Sequence, residues 1–215
     1  MPIATKKRKP RNIIVPLIIF LNMVIYFLWI AADEVGMPFM ERNFLVSWQA
    51  LAEGRWWTLL SSVFSHNMFF HFLINMLVLN NFGILLEMVL GRAFLLRFYL
   101  IAGVVSSFTH AVVSAGLMGA PELPALGASG AISGLVLIFC LMFPREKILI
   151  LGLIPIPALW GAIVFVGLDL WGLIAQASGG GLPIGHGAHL GGAFTGVVCY
   201  YFFIHPRWSG GSSIV

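Results

Sequence analysis

The chain has 215 residues, of which 60% are hydrophobic and only 9% charged. With a mean hydropathy of +0.97, this excludes a soluble domain and defines a polytopic membrane protein. The net charge of +4 reads as topology signals at one membrane face, with no nucleic-acid partner implied.

Residues 1–12 carry Lys6, Lys7, Arg8, Lys9 and Arg11 ahead of an apolar run from Ile13 to Ala31. The run is long enough to span a bilayer, and Asp33-Glu34 follows it where a small-residue cleavage site would stand. It therefore reads as a retained first helix rather than a signal peptide. Five further spans are expected, at Asn67–Glu87, Ala93–Ala115, Ala128–Pro144, Ala158–Gln176 and His186–His205. Residues 13–205 then form a single all-α, six-helix membrane domain, with residues 206–215 as a short tail. Starting inside, this topology puts both termini in the cytoplasm. It also places Arg92, Arg97, Arg145, Lys147 and Arg207 on the inner side with the N-terminal five, leaving Arg42 and Arg55 outside. The positive-inside rule asks for such a distribution. A bacterial or archaeal plasma membrane, with the site open to the extracytoplasmic side, is the expected location.

The connection from Ala32 to His66 is too long for a turn and contains Trp48, Arg55, Trp56 and Trp57. Tryptophans beside a basic residue predict short interfacial helices. In the second span His71 and Asn75 are four apart and share one face. Intramembrane polar groups of this kind serve as interhelical glue or line a hydrated cavity. Glu87 is expected to pair with Arg92 or Arg97, and His110 to serve packing. Pro155 and Pro157 oppose a straight helix. Asp169, the acid well inside the fifth span, reads as a structural hydrogen-bonder that could instead orient a histidine. The loop Ser178–Pro183, rich in glycine, suits either an ordinary turn or a movable cap.

The fourth span opens with Leu126-Gly127-Ala128-Ser129-Gly130-Ala131-Ile132-Ser133-Gly134. Alone, this stretch is either a helix-packing seam or an exposed nucleophile. Gly130 and Gly134 are four apart, as are Gly192 and Gly196 in the sixth span, and such small-residue seams let two helices approach closely. Packing the two seams together brings Ser129 and His189 to one level. His71, Asn75, Ser129 and His189 then converge at the outer end of three spans. A neutral histidine can take the serine proton and return it to a leaving amine. His71, Asn75 and the Ser129 N–H can stabilise an oxyanion. With no acid assigned, the economical expectation is a Ser129–His189 dyad.

These residues resemble the rhomboid family of intramembrane serine proteases. The resemblance runs from Glu53 to His205, through Gly54-Arg55-Trp56-Trp57-Thr58, His66 to Asn75, Glu87 with Gly91, Gly127-Ala128-Ser129-Gly130, and Ala188-His189 with Gly192 and Gly196. It implies Ser129 as nucleophile, His189 as base and His71 with Asn75 at the oxyanion, supported by His66, Gly127 and Gly130. It further implies cleavage of transmembrane protein substrates at or just within the membrane, near its outer face, without metal or cofactor, on the minimal prokaryotic-type six-span core. The loop between the first two spans and the loop before the sixth correspond to the family's embedded loop and mobile cap. Ser133 departs from the pattern, since many members carry there an aromatic residue that packs on the histidine. Two alternatives compete: a catalytically silent relative that binds transmembrane clients, and a small transporter.

Overall fold

Backbone N–H and C=O groups facing hydrocarbon have no water to bond, so apolar runs of spanning length fold as helices. The computed structural model describes residues 12–34, 36–150 and 153–209. The basic cluster from Lys6 to Arg11 and the end of the tail beyond residue 209 lie outside the described residues. The elements, in order, are α1 (Ile14–Ala31), α2 (Met37–Phe44), α3 (Trp48–Ala52), α4 (Thr58–Ser61), α5 (Phe69–Val78), α6 (Ile84–Leu90), α7 (Arg92–Gly116), α8 (Ser129–Met142), β1 (Lys147–Ile150), β2 (Ile154–Pro157), α9 (Ala158–Ala177), α10 (His186–Cys199) and α11 (His205–Ser209). A π-turn over Leu79–Gly83 carries α5 into α6, and another over Tyr200–Ile204 carries α10 into α11.

Five of the described helical stretches are long and apolar enough to cross a membrane: Ile14–Ala31, Phe69–Leu90, Arg92–Gly116, Ala158–Ala177 and His186–Arg207. The helix carrying Ser129 is shorter, at 14 residues, so the sixth crossing expected from Ala128 to Pro144 is not among the helices of spanning length. Their surfaces are inverted relative to a soluble bundle. On α1, Phe20 and Phe27 are 56% and 57% exposed, whereas Val15, Ile18, Ile25 and Trp29 face the interior. The protein is an all-α polytopic bundle embedded in a lipid bilayer.

Helix α10 is wedged between α7 and α8. A Cβ at Gly192 would run into the carbonyl oxygen of Gly130, and one at Gly134 would lie 2.7 Å from the carbonyl oxygen of Gly192. The two small-residue seams thus meet backbone to backbone. On another face of α10, Gly187 rests on Val113 and Gly191 on Thr109 of α7.

The Ala32–His66 connection does contain short helices, α2 to α4, with Trp48, Trp56 and Trp57 exposed. It is tied down from within: Trp29 Nε1 donates to Ser65 Oγ at 2.7 Å, and Val46 bridges to Ala125 in the loop before α8. His110 is buried on α7, with Nε2 3.1 Å from the Leu123 carbonyl of that same loop. The proline-bearing segment after α8 returns as the second strand of an antiparallel ribbon, with Ile148 opposite Ile156. Prolines at alternate positions fit a strand with a free edge, because their missing N–H groups can face away from the partner.

Glu87 holds a larger part than an arginine pair. Its carboxylate accepts the backbone N–H groups of Ile13, Ile14 and Val15 at 2.7, 3.0 and 3.0 Å, while Arg92 Nε stands 3.8 Å away. These are donors that the first turn of α1 cannot satisfy itself. Glu87→Ala strands them near a buried helix end, and thermal unfolding in detergent should show a loss of roughly 2–3 kcal/mol. An unchanged melting curve would remove the cap from any role in stability.

Candidate active site

Ser129 stands at the first turn of α8 because Gly127 and Ala128 turn the chain into the helix there. Gly127 adopts φ of +123°, a conformation that L side chains rarely take. Space requires glycine too: a Cβ at this position would lie 2.7 Å from His71 Cε1. The turn is held by the Gly127 N–H donating to the Ser62 carbonyl at 2.8 Å and the Ala128 N–H donating to His66 Nε2 at 3.4 Å. His66 itself is fully buried, with its ring edge-on to that of His71 at a centroid distance of 4.9 Å. Burial above all, then the neighbouring His71, pushes its imidazole down to about 3. It therefore stays neutral and able to accept that hydrogen bond.

Across the seam, His189 Nε2 lies 2.9 Å from Ser129 Oγ. The other ring nitrogen, Nδ1, is 3.0 Å from Asp169 Oδ1 on α9. Serine, imidazole and carboxylate are in series. The same Oδ1 also meets Nδ1 of His186, at 2.7 Å. Asp169 and His186 are both buried. Donor atoms of Asp169, His186 and His189 all lie within 4.8 Å of one another, a group with ligands suited to a metal.

His71 and Asn75 line the same cavity as Ser129 and His189. His71 packs on Gly127, while the Asn75 amide donates to the His71 carbonyl at 2.8 Å. Gly130 lies against Ser106 of α7 and the carbonyl of Ala188, which leaves no room for a side chain beside the serine. All seven residues singled out from sequence are therefore gathered at one end of the bundle.

Three neighbours of His189 go beyond the residues assigned to the site from sequence. For Asp169 the sequence favours a structural hydrogen bond over orienting a histidine, and the expected dyad has no acid. Its carboxylate meets His189 directly, the second of those two readings. His186 was not assigned any part, although it stands three residues before His189. Phe165 is the third: its ring lies over His189 at a centroid separation of 6.0 Å and an interplanar angle of 25°. Phe165 and Asp169 are four apart on α9 and so reach the imidazole from one face. Ser133, where an aromatic residue was missed, donates to the Ser129 carbonyl at 2.7 Å.

The cavity has a volume of about 880 Å³. From the polar end it continues between α5 and α9, past Val78, Phe82, Val164 and Leu168 to Ile148 of the ribbon. Next to the polar end, Gln176 Nε2 on α9 donates to the carbonyls of Leu182 and Ile184 at 2.6 and 2.8 Å, anchoring the glycine-rich loop.

A bundle of apolar helices with a serine–histidine–aspartate hydrogen-bond chain at one end defines a membrane-embedded protein with the groups of a serine hydrolase. The chain belongs to the rhomboid family, whose Rhomboid domain matches residues 53–206. It is similar to the RHOMBOID-like protein 12, mitochondrial, of Arabidopsis thaliana, with 30% identity over 88% of this chain and 58% of the relative. Presenilin-associated rhomboid-like protein A, mitochondrial, of Danio rerio is 35% identical over 84% of this chain and 45% of its own length. Rhomboid protein 1, mitochondrial, of Saccharomyces cerevisiae is 30% identical over 92% and 55%. The chain thus spans about half the length of these relatives. Membership of this family supports a function of the intramembrane-protease type in general.

The relatives correct one expectation. They are mitochondrial by name, which overturns the placement in a bacterial or archaeal plasma membrane. The physical reason is plain: basic loops orient a chain across a membrane but carry no information about which membrane it is.

Proposed function

We propose that this chain is an intramembrane serine endopeptidase that cuts transmembrane protein substrates. The observation that carries the reading is the 2.9 Å contact between Ser129 Oγ and His189 Nε2, continued by the 3.0 Å contact from Nδ1 to Asp169. Asp169 fixes the imidazole with its proton on Nδ1, leaving the Nε2 lone pair facing the hydroxyl. Ser129 Oγ attacks the scissile carbonyl carbon as its proton passes to Nε2. Negative charge then develops on the carbonyl oxygen, beside the Ser129 N–H at the start of α8, with His71 and Asn75 as the neighbouring side-chain donors. Nε2 returns the proton to the departing amine. Water repeats the sequence on the acyl-enzyme and frees Ser129.

The short helix supports a site at depth. Its 14 residues span roughly 21 Å, against a hydrocarbon core of about 30 Å. With its far end near one face, Ser129 lies well inside the other. The loop before it can run at that depth because its backbone groups are paired within the protein, at Ser62, His66 and Val46. The apolar gap between α5 and α9 would receive a spanning substrate from the side, and the polar end of the cavity would hold the water. The loop over Ser178–Pro183 would serve as the cap. Residues 13–205 act as a single membrane domain in this reading, and its relatives favour a mitochondrial membrane.

Labelling of the detergent-purified protein with a fluorophosphonate tests the proposal without knowledge of a substrate. The parent should label on Ser129. Ser129→Ala should abolish labelling, and His189→Ala should slow it ~10³-fold or more. A folded parent that does not label would overturn the protease reading and leave a client-binding rhomboid.

A further inference from the structure

We propose that Asp169, His186 and His189 form a binding site for one divalent transition-metal ion of the zinc type, and that its occupation switches the serine off. The first half stands on the cluster alone; the second rests on the protease reading.

Acyl transfer needs a single imidazole, and His189 supplies it. His186 is left without a part in that chemistry, yet it is buried and aimed with Nδ1 at the same oxygen that meets His189. A slot is built for it: a Cβ at Gly172, three residues beyond Asp169 on α9, would collide with the His186 ring. Asp169 is only 4% exposed, and its second oxygen, Oδ2, has no hydrogen-bond partner among the described residues. A buried carboxylate oxygen left unpaired is costly, and a cation at the cluster would satisfy it.

Two imidazole nitrogens with one carboxylate are the donor set of an open zinc site, whereas magnesium and calcium prefer oxygen alone. Zinc bonds of about 2.0–2.1 Å place donors roughly 3.3 Å apart. The two histidine–aspartate separations of 2.7 and 3.0 Å would open by a few tenths of an ångström, and the two imidazole donors, within 4.8 Å of each other, would settle at that same spacing around the ion. Both histidines border the cavity that contains Ser129, which gives an ion access and leaves water the remaining position.

The consequence for catalysis follows from proton bookkeeping on one ring. A metal on Nδ1 of His189 uses the lone pair there, so the single proton of the neutral imidazole must reside on Nε2. Nε2 then donates to Ser129 Oγ and cannot receive its proton. Substrate binding and the oxyanion donors are untouched, but the base is gone.

Isothermal titration with zinc chloride, with cobalt(II) absorption as a coordination probe, measures binding on the full chain in detergent. Parent and Ser129→Ala should each take up one ion and give the visible bands of a four-coordinate cobalt site. His186→Gln should weaken binding at least ~10-fold, with Asp169→Asn as the second variant if His186→Gln unfolds. Stoichiometric zinc should block fluorophosphonate labelling of the parent, a chelator should restore it, and the residual labelling of His186→Gln should not respond to the same zinc. Equal affinity in parent and His186→Gln, or no uptake by the parent, overturns the site. Uptake that depends on His186 in a parent that never labels supports the site and removes the protease reading instead.

Discussion

On the proposed protease reading, replacing Asp169 with asparagine is expected to lower turnover of a transmembrane substrate by roughly 10²–10⁴-fold while KM changes little. Asparagine keeps the size and shape of the side chain, so the packing of α9 on α10 is retained. Two things are lost. The negative charge that favours the imidazolium formed during attack is gone, and the amide can present N–H where Oδ1 now accepts from Nδ1. Either change disfavours the tautomer with a free lone pair on Nε2. Because neither touches the apolar gap between α5 and α9 where the proposal seats the substrate, the loss is expected to fall on kcat. A carboxylate one methylene longer, in Asp169→Glu, should recover part of the rate, whereas Asp169→Ala should not. A merely structural aspartate would give the opposite pattern, with melting temperature tracking the variants and kcat per folded molecule unchanged. Turnover of Asp169→Asn within about threefold of the parent would return the site to a dyad.

That the acid was not assigned from sequence, while Ser129 and His189 were, has a physical cause. The seam is written in the helices themselves: Gly130 with Gly134 and Gly192 with Gly196 announce that two particular helices meet, and their register brings the serine and histidine to one level. Asp169 carries no such address. Its distance to His189 depends on how α9 turns about its own axis, and apolar residues all around that helix leave its rotation unreadable. Phe165 is hidden for the same reason, since the aromatic contact expected from position 133 on α8 arrives from a different helix. Glu87 shows a related blind spot. Charge pairing with Arg92 can be read along the sequence, but the N–H groups it caps lie more than seventy residues away at the start of α1. The ribbon at β1 and β2 was legible only as a refusal to be helical. The choice of membrane was not legible at all, because charge patterning encodes orientation.

The second large effect is expected from one methyl group at position 192. In Gly192→Ala the new Cβ has to occupy the place of the Gly130 carbonyl oxygen. The obstacle is backbone in the first turn of α8, held on its other side by Ser106, so no side chain can swing aside. Helices α8 and α10 must separate or slide. Overpacking of this kind costs typically 1–3 kcal/mol and occasionally more, and the melting temperature should fall accordingly. The larger consequence is chemical. Ser129 and His189 sit on the two helices being pushed apart, and their 2.9 Å contact has no slack. A displacement of about 1 Å is expected to slow fluorophosphonate labelling by roughly 10²-fold per folded molecule. Gly167→Ala is the matched control, since a Cβ there on α9 meets nothing within 4 Å, and it should melt and label as the parent does. If Gly192→Ala behaved like Gly167→Ala, the close approach of the two seams would not be what aligns Ser129 with His189.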